Sequence, residues 1–181
     1  MKCTQTSQPE AEVITGAERA RGIEAWLLLA APDAAKARRE WETQGAAILR
    51  CGQLFTAVRI PGTIVRAAAD KDDAAGVDAF LAQVFAGGPV FTDAGLNRYY
   101  ALVQGGAAYD WHVPGTECLP RGIGLGVPAV GLMQYEPGVP YWASPMDGPG
   151  ELCDEDQVAD LVMTGWRRLA QSRPSDRGAD S

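Results

Sequence analysis

Short apolar runs separated by polar residues divide the N-terminal third of the chain into three predicted elements. Thr15 and Glu18 have the spacing of a capping box, in which each side chain accepts an early backbone N–H, so a helix is predicted to begin there. Gly22 is expected to end it. The continuous apolar run 26–30 (WLLLA) predicts a buried strand because it is short for a helix, and Asp33 begins the next helix.

The following segment predicts two neighbouring strands. Gly45 ends the preceding helix, since glycine commonly follows the last helical residue. The apolar runs 46–50 and 54–60 are expected to pair as strands around a turn at Cys51 and Gly52.

Two helices are predicted next. Residues 61–69 form a short one, and either Asp72 or Asp73 caps a longer one that the sequence GGP at 87–89 ends. The longer helix carries one apolar stripe at helical spacing. Its members are Val77, Phe80, Leu81, Val84 and Phe85.

The second half of the chain is richer in strands, divided by glycine and proline. Strands are predicted at 89–92, 98–103, 123–127 and 141–144. Asp154 begins a final helix whose last turn is expected to hold Arg167 and Arg168, matching the helix dipole. The residues of this helix expected to face the core are Val158, Leu161, Val162 and Leu169.

Helix-flanked strands followed by a strand-rich half predict an α+β fold with a central mixed or antiparallel sheet flanked by helices. One domain is expected over residues 15–170, because 181 residues suit a single core. The polar, turn-rich segments 1–14 and 171–181 are expected to be disordered tails.

The excess of acidic residues disfavours non-specific binding to nucleic acid. The chain has 23 acidic and 16 basic residues, a net charge of −7, which repels phosphate at long range. Binding to nucleic acid therefore requires a local cluster of arginines or lysines.

Cysteine and histidine usage predicts no metal centre. Cys3, Cys51, Cys118 and Cys153 form no C-x-x-C pair, and His112 is the single histidine. No export signal begins the chain and no window reaches the roughly 18 apolar residues of a membrane helix, so a cytoplasmic protein without a membrane partner is expected.

Isolated motifs have structural interpretations as well as functional ones. The glycines at 122, 124 and 126 lack the helix that a dinucleotide-binding loop requires, since Pro128 follows, so a turn between strands is favoured. His112 as a base or Cys118 as a nucleophile would need a partner that no motif supplies. A surface histidine and a buried thiol are favoured instead.

Aromatic residues and arginines share the strand-rich half. Aromatic side chains on a sheet stack nucleic-acid bases or, more commonly, pair across strands in the core, and the second interpretation is favoured. The aromatic set is Tyr99, Tyr100, Tyr109, Trp111, Tyr135, Tyr141 and Trp142. Most of the arginines in and around this half are expected to lie on the solvated surface, and the alternative is that they converge if the strands pair. They are Arg50, Arg59, Arg66, Arg98 and Arg121.

The order of elements over residues 22–150 resembles the N-terminal domain of bifunctional DNA primase-polymerases. The segments that carry the resemblance are 46–52 (AAILRCG), 54–60 (LFTAVRI), a turn with Asp93 and Gly95, 97–103 (NRYYALV), 115–124 (GTECLPRGIG) and 142–145 (WASP). The resemblance implies a primase-polymerase-like fold in which a hydrophobic strand ending in D-x-D and a later histidine strand hold the metal site.

The chain departs from that family where the chemistry lies. The D-x-D positions hold Ala57 and Arg59, Arg98 stands near the histidine position, and Glu117 is the one acid at the third position. Arginine cannot ligate a metal, so no catalytic residue, metal or cofactor is predicted. A shifted alignment would use an acid within 70–73, although those acids suit a helix cap.

Three hypotheses follow from the sequence. In the first, a catalytically inactive primase-polymerase-like domain binds a nucleotide or nucleic-acid end through Arg59, Arg98 and Arg121. In the second, the domain is a non-enzymatic protein-interaction or regulatory scaffold whose acidic surface meets a protein partner. In the third, the least favoured, an active enzyme uses Glu117, Asp110 and Asp93.

Overall fold

The computed structural model describes residues 15–172 as an α+β fold, as the sequence predicts. Five α-helices lie in this range: α1 (Gly16–Leu28), α2 (Ala34–Gln44), α3 (Gly62–Ala69), α4 (Ala74–Phe85) and α5 (Glu155–Ser172). The strands are β1 (Ala46–Arg50), β2 (Phe55–Pro61), β3 (Val90–Thr92), β4 (Arg98–Gln104), β5 (Glu117–Cys118), β6 (Gly124–Pro128) and β7 (Tyr141–Ser144). A short 3₁₀ turn spans Ala107–Tyr109.

Two antiparallel sheets organise the fold. The larger has the strand order β5-β2-β4-β3-β7, and the smaller pairs β1 with β6. Alternate residues of β2 point to opposite faces. Val58 and Ile60 belong to a core that α3, α4 and α5 cover, whereas Phe55 and Ala57 belong to a second core beneath α1, α2 and the smaller sheet.

The strand prediction for residues 26–30 is wrong, and so is the helix end at Gly22. Helix α1 continues through Gly22 to Leu28. A Cβ at residue 22 would lie 3.1 Å from Pro149 Cγ, so the glycine serves a close packing contact instead of ending the helix. The apolar run is helical because Leu27 and Leu28 reach the core while Leu29 is 69% exposed.

The predicted pairing of β1 with β2 is also wrong. β1 pairs with β6, and β2 lies between β4 and β5. Between them Gly52 adopts φ +102°, a conformation that favours glycine, and its backbone packs against Arg121. This contact joins residues 69 positions apart, at the point where the chain passes from the smaller sheet to the larger.

The predictions for α2, α3 and α4 are confirmed. Asp33 caps α2 through Lys36 N (2.9 Å), and Asp73, of the two acids considered, caps α4 through Gly76 N (2.8 Å). Gly45 ends α2 at φ +74°. The α4 stripe is buried or half-buried along its whole length.

The final helix differs from its prediction at its C-terminal end. Asp154 caps α5 as predicted, through Gln157 N (3.1 Å), but the helix continues to Ser172. Arg167 and Arg168 therefore lie before the last turn. Arg168 Nη1 donates to the carbonyls of the last turn of α3, Ala67 and Ala68, at 3.3 and 2.9 Å. Residues 171–172 are helical, and the rest of both predicted tails lies outside the described residues.

The strands predicted in the second half are confirmed, with one correction to the glycine-rich segment. Gly122 lies in a turn, as predicted, but Gly124 and Gly126 belong to β6. Within residues 15–172 no helix combines the length and the apolar character needed to cross a lipid bilayer.

Candidate functional site

A row of directly opposed residues crosses all five strands of the larger sheet. From the β5 edge to the β7 edge it comprises Glu117, Arg59, Tyr100, Phe91 and Trp142. The aromatic end belongs to the core beneath α1 and α2: Phe91 stacks on Tyr100 with ring centroids 4.9 Å apart and meets Trp142 edge-on at 5.3 Å. This agrees with the prediction of cross-strand aromatic pairs. The charged end lies beyond that core and is accessible.

The charged end forms one wall of a surface groove with a volume of about 430 Å³. We call it the Arg59–Arg98 groove. Its lining residues are Arg59, Pro61, Asn97, Arg98, Gly115, Thr116 and Glu117. It therefore brings together two of the three predicted arginines and the predicted residual acid.

Strand register explains why these residues meet. Arg59 lies opposite Glu117 on β5, and Pro61 lies opposite Arg98 on β4. Arg59 Nη2 donates to Glu117 Oε2, and their side chains are 38% and 50% exposed. Arg98 is exposed, and its side chain has no ion-pair or hydrogen-bond partner within residues 15–172.

One wall of the groove is the loop before β5, held in place by two tryptophans. Trp111 Nε1 donates to Thr116 Oγ1 (2.9 Å), and Trp166 Nε1 on α5 donates to the carbonyl of Pro114 (3.0 Å). Gly115 has φ +76°, and a Cβ there would lie 2.5 Å from Trp166 Cζ2. The loop can take this position only because residue 115 is glycine.

The opposite wall is the β3–β4 turn. Asp93 Oδ1 accepts Asn97 N–H at 2.8 Å, and Arg66 Nη1 donates to the carbonyl of Leu96 at 3.1 Å. Gly62 N–H donates to the carbonyl of Asn97 at 2.7 Å, which fixes the turn to the start of α3. Sequence analysis did not single out Asn97, Gly115 or Trp166 as site residues, although Asn97 and Gly115 begin two of the segments that carry the family resemblance.

The two positions that sequence analysis compared with the D-x-D motif hold an alanine and an arginine. Ala57 is fully buried, and Glu117, the one carboxylate lining the groove, is engaged by Arg59. Over the described part of the chain, no three His, Cys, Asp or Glu side chains gather closely enough to hold a metal ion. The acids of the shifted alignment lie at the α3–α4 junction, where Asp70 and Asp72 line a different groove.

Arg121 does not join Arg59 and Arg98. It lines a second groove, with a volume of about 410 Å³, together with Arg50 and Gln53. We call this the Arg50–Arg121 groove. Gln53 precedes β2, whereas Arg59 and Pro61 are at its other end, so the two grooves lie at opposite ends of that strand.

The remaining single-residue candidates, His112 and Cys118, line neither of these two grooves. His112 is exposed, and its Nδ1 lies 2.8 Å from the carbonyl of Asp110. Burial raises the pKa of the Cys118 thiol to about 11, which keeps it protonated near neutral pH. Among the described residues, the carboxyl group with the most strongly raised pKa is that of Asp78, and burial raises it to about 6. Tyr141 Oη donates to this carboxylate and lies 3.0 Å from Oδ1 and 3.1 Å from Oδ2.

No protein-family model matches this chain, and neither does any curated protein or solved structure.

Proposed function

We propose that this chain is a catalytically inactive primase-polymerase-like domain that binds a phosphate-bearing ligand, a nucleotide or nucleic-acid end, in the Arg59–Arg98 groove. The observation that carries the proposal is the guanidinium of Arg98, exposed at the groove and without an acidic partner in residues 15–172. Guanidinium groups suit phosphate because their paired N–H donors match two phosphate oxygens.

Arg59 and Glu117 have complementary roles in this proposal. Glu117 holds the Arg59 side chain across the strand pair, in the groove where Arg98 also lies. Both charges are partly exposed, so a phosphate can compete with Glu117 for the remaining donors of Arg59. In this proposal Arg59 and Arg98 contact phosphate directly, at positions where the primase-polymerases that the chain resembles have metal ligands.

Calorimetric titration with a deoxynucleoside triphosphate, with and without Mn²⁺, tests the proposal. Binding is expected without metal and is expected to weaken at least about tenfold in Arg98→Ala, since a charge-assisted hydrogen bond contributes about 1.5–3 kcal/mol. Arg38→Ala is the matched control, because it removes one exposed arginine paired with Glu24 elsewhere. Equal affinity in wild type and Arg98→Ala, or binding that requires Mn²⁺, contradicts the proposal.

A protein-binding scaffold is the second candidate function, and an exposed apolar surface beside the smaller sheet favours it. Leu29, Ile48 and Ile123 are 69%, 51% and 44% exposed. Leu29 lines the same groove as Arg50, and Ile48 contacts the glycine face of β6 near Ile123. Apolar residues exposed together are a common feature of protein interfaces.

Comparative affinity purification separates the two functions. A partner retained by the wild-type chain and lost with Ile48→Asp supports the scaffold, whereas identical sets of retained proteins contradict it. A cytoplasmic location belongs to either proposal and is supported by the free thiols of Cys51, Cys118 and Cys153.

A further inference from the structure

The Arg50–Arg121 groove differs in charge from four other grooves on the described residues. Each of those includes at least one carboxylate: Glu24 and Glu42, Glu117, Asp70 and Asp72, or Asp160. The lining of the Arg50–Arg121 groove contains two arginines and no acid. In a chain where acidic residues outnumber basic ones by 23 to 16, a cationic groove without a carboxylate runs against the overall composition.

We propose that Arg50 and Arg121 form a second anion site, separate from the Arg59–Arg98 groove, for the phosphate group of a small phosphate ester. Neither guanidinium makes an ion pair or a hydrogen bond within residues 15–172, so all their donors are open to a ligand. Gln53 lines the same groove, and its side-chain amide is a neutral donor available there. Two guanidinium groups with a neutral donor are a suitable set for a doubly charged oxyanion.

The backbone that carries both arginines is held by close contacts. A Cβ at Gly52 would lie 2.5 Å from Arg121 Cα, Cβ and Cγ, so the Arg121 backbone packs directly on this glycine. Gly122 N–H donates to the carbonyl of Cys51, and Cys51 N–H to that of Ile123, both at 2.9 Å. These contacts join the end of β1 to the turn before β6.

Arg50 is fixed from a second direction. It ends β1 opposite Gly124, and its N–H donates at 2.8 Å to the carbonyl of Ala30, which follows α1. The two arginines are therefore anchored to one junction before any ligand arrives. Binding then requires no reordering of this backbone, which lowers the entropic cost of engaging a ligand.

The position of the groove makes this site independent of the proposed function. At about 3.3 Å per residue, the seven residues of β2 separate its ends by roughly 20 Å. A single phosphate cannot contact Arg121 and Arg98 together. The prediction that Arg59, Arg98 and Arg121 act together in one site is therefore corrected, because Arg121 lines a groove with Arg50 and not with Arg59 and Arg98.

Nuclear magnetic resonance of the ¹⁵N-labelled chain, titrated with inorganic pyrophosphate at low ionic strength, tests the site. Saturable shifts are expected at the side-chain Nε–Hε signals of Arg50 and Arg121 and at the Gln53 amide. Arg50→Ala and Arg121→Ala are each expected to weaken that binding at least about fivefold. Arg121→Lys, which keeps the charge and loses the paired donors, is expected to fall between wild type and Arg121→Ala.

A control variant and two possible outcomes test whether the shifts belong to the Arg50–Arg121 groove. Arg38→Ala removes the same charge from a groove that contains acids and should leave the shifts unchanged. Shifts of similar size at every exposed arginine without saturation overturn the site, as do shifts confined to Arg59 and Arg98. The same titration distinguishes failure of the proposed function. In that case the Arg98 signal does not shift, while the signals of Arg50 and Arg121 still do.

Discussion

Arg59 and Glu117 lie directly opposite each other on β2 and β5, and the Arg59 guanidinium donates to the Glu117 carboxylate. Strand β2 thus carries a cation at this position, and the neighbouring acid on β5 neutralises it. Because both side chains are more than a third exposed, the pair is expected to contribute only about 0–1 kcal/mol to stability. Its main effect is on the charge of the groove.

Glu117→Gln is therefore expected to change the free energy of unfolding by less than about 1 kcal/mol while strengthening phosphate binding. Removing one negative charge about 4 Å from a bound anion relieves roughly 1 kcal/mol of repulsion even in water, or about fivefold in affinity. Urea unfolding and triphosphate titration measure the two effects. Weaker binding in Glu117→Gln would mean that Glu117 orients Arg59 more than it competes with the ligand.

The pH dependence of stability should contain a component from Asp78. Burial raises its folded pKa from the ordinary 3.8 to about 6, partly opposed by the hydrogen bond from Tyr141, while nearby Asp73 raises it further. The folded chain therefore binds the proton more tightly than the unfolded one, and the destabilisation from the buried charge is relieved as pH falls from about 6 towards 4.

Asp78→Asn measures this component directly, because asparagine keeps an acceptor for Tyr141 and does not titrate. The stability of Asp78→Asn relative to wild type should be constant above about pH 6.5 and should decrease between about pH 6 and pH 4. Urea unfolding at several pH values measures it. A difference between the two proteins that does not vary over pH 4–7.5 would contradict the raised pKa.

Gly115→Ala should disturb the wall of the Arg59–Arg98 groove. Gly115 and Gly138 both have positive φ, +76° and +83°, but a Cβ at 115 meets the Trp166 ring whereas nothing lies within 4 Å at 138. Gly138→Ala therefore reports backbone strain alone. Gly115→Ala is expected to be less stable than this control by about 1 kcal/mol, because the Trp166–Pro114 hydrogen bond is lost. Equal stability of the two variants in urea would exclude the contact with Trp166.

Gly165→Ala should be strongly destabilising although alanine is the better helix former. A Cβ at residue 165 would lie 2.3 Å from the carbonyl oxygen of Ile64, where α5 packs closely on α3. Overpacking of this kind costs about 1–3 kcal/mol, which exceeds the gain in helix propensity. Gly16→Ala, at the start of α1 with nothing within 4 Å, is the matched control in thermal unfolding. A melting temperature unchanged by Gly165→Ala would contradict the packing of α5 on α3.

Local sequence determined most of the secondary structure of this protein. The caps at Thr15, Asp33 and Asp73 identify helix starts because their side chains accept N–H groups within three residues along the chain. The apolar stripe of α4 and the strands of the second half are likewise set by periodicity. Each of these signals acts over a few residues and is visible without any partner.

Tertiary contacts decided the points where local patterns were ambiguous. The run 26–30 has no periodicity that separates a buried helix from a strand, and α1 forms because one of its faces packs on the larger sheet. The partner of β1 is β6, a strand distant along the chain, and the grouping of Arg59 with Arg98 and Glu117 depends on strand register. The sequence alone could suggest arginines that contact phosphate. Only the pairing of distant strands could divide them between two grooves, because residues far apart along the chain become neighbours through packing.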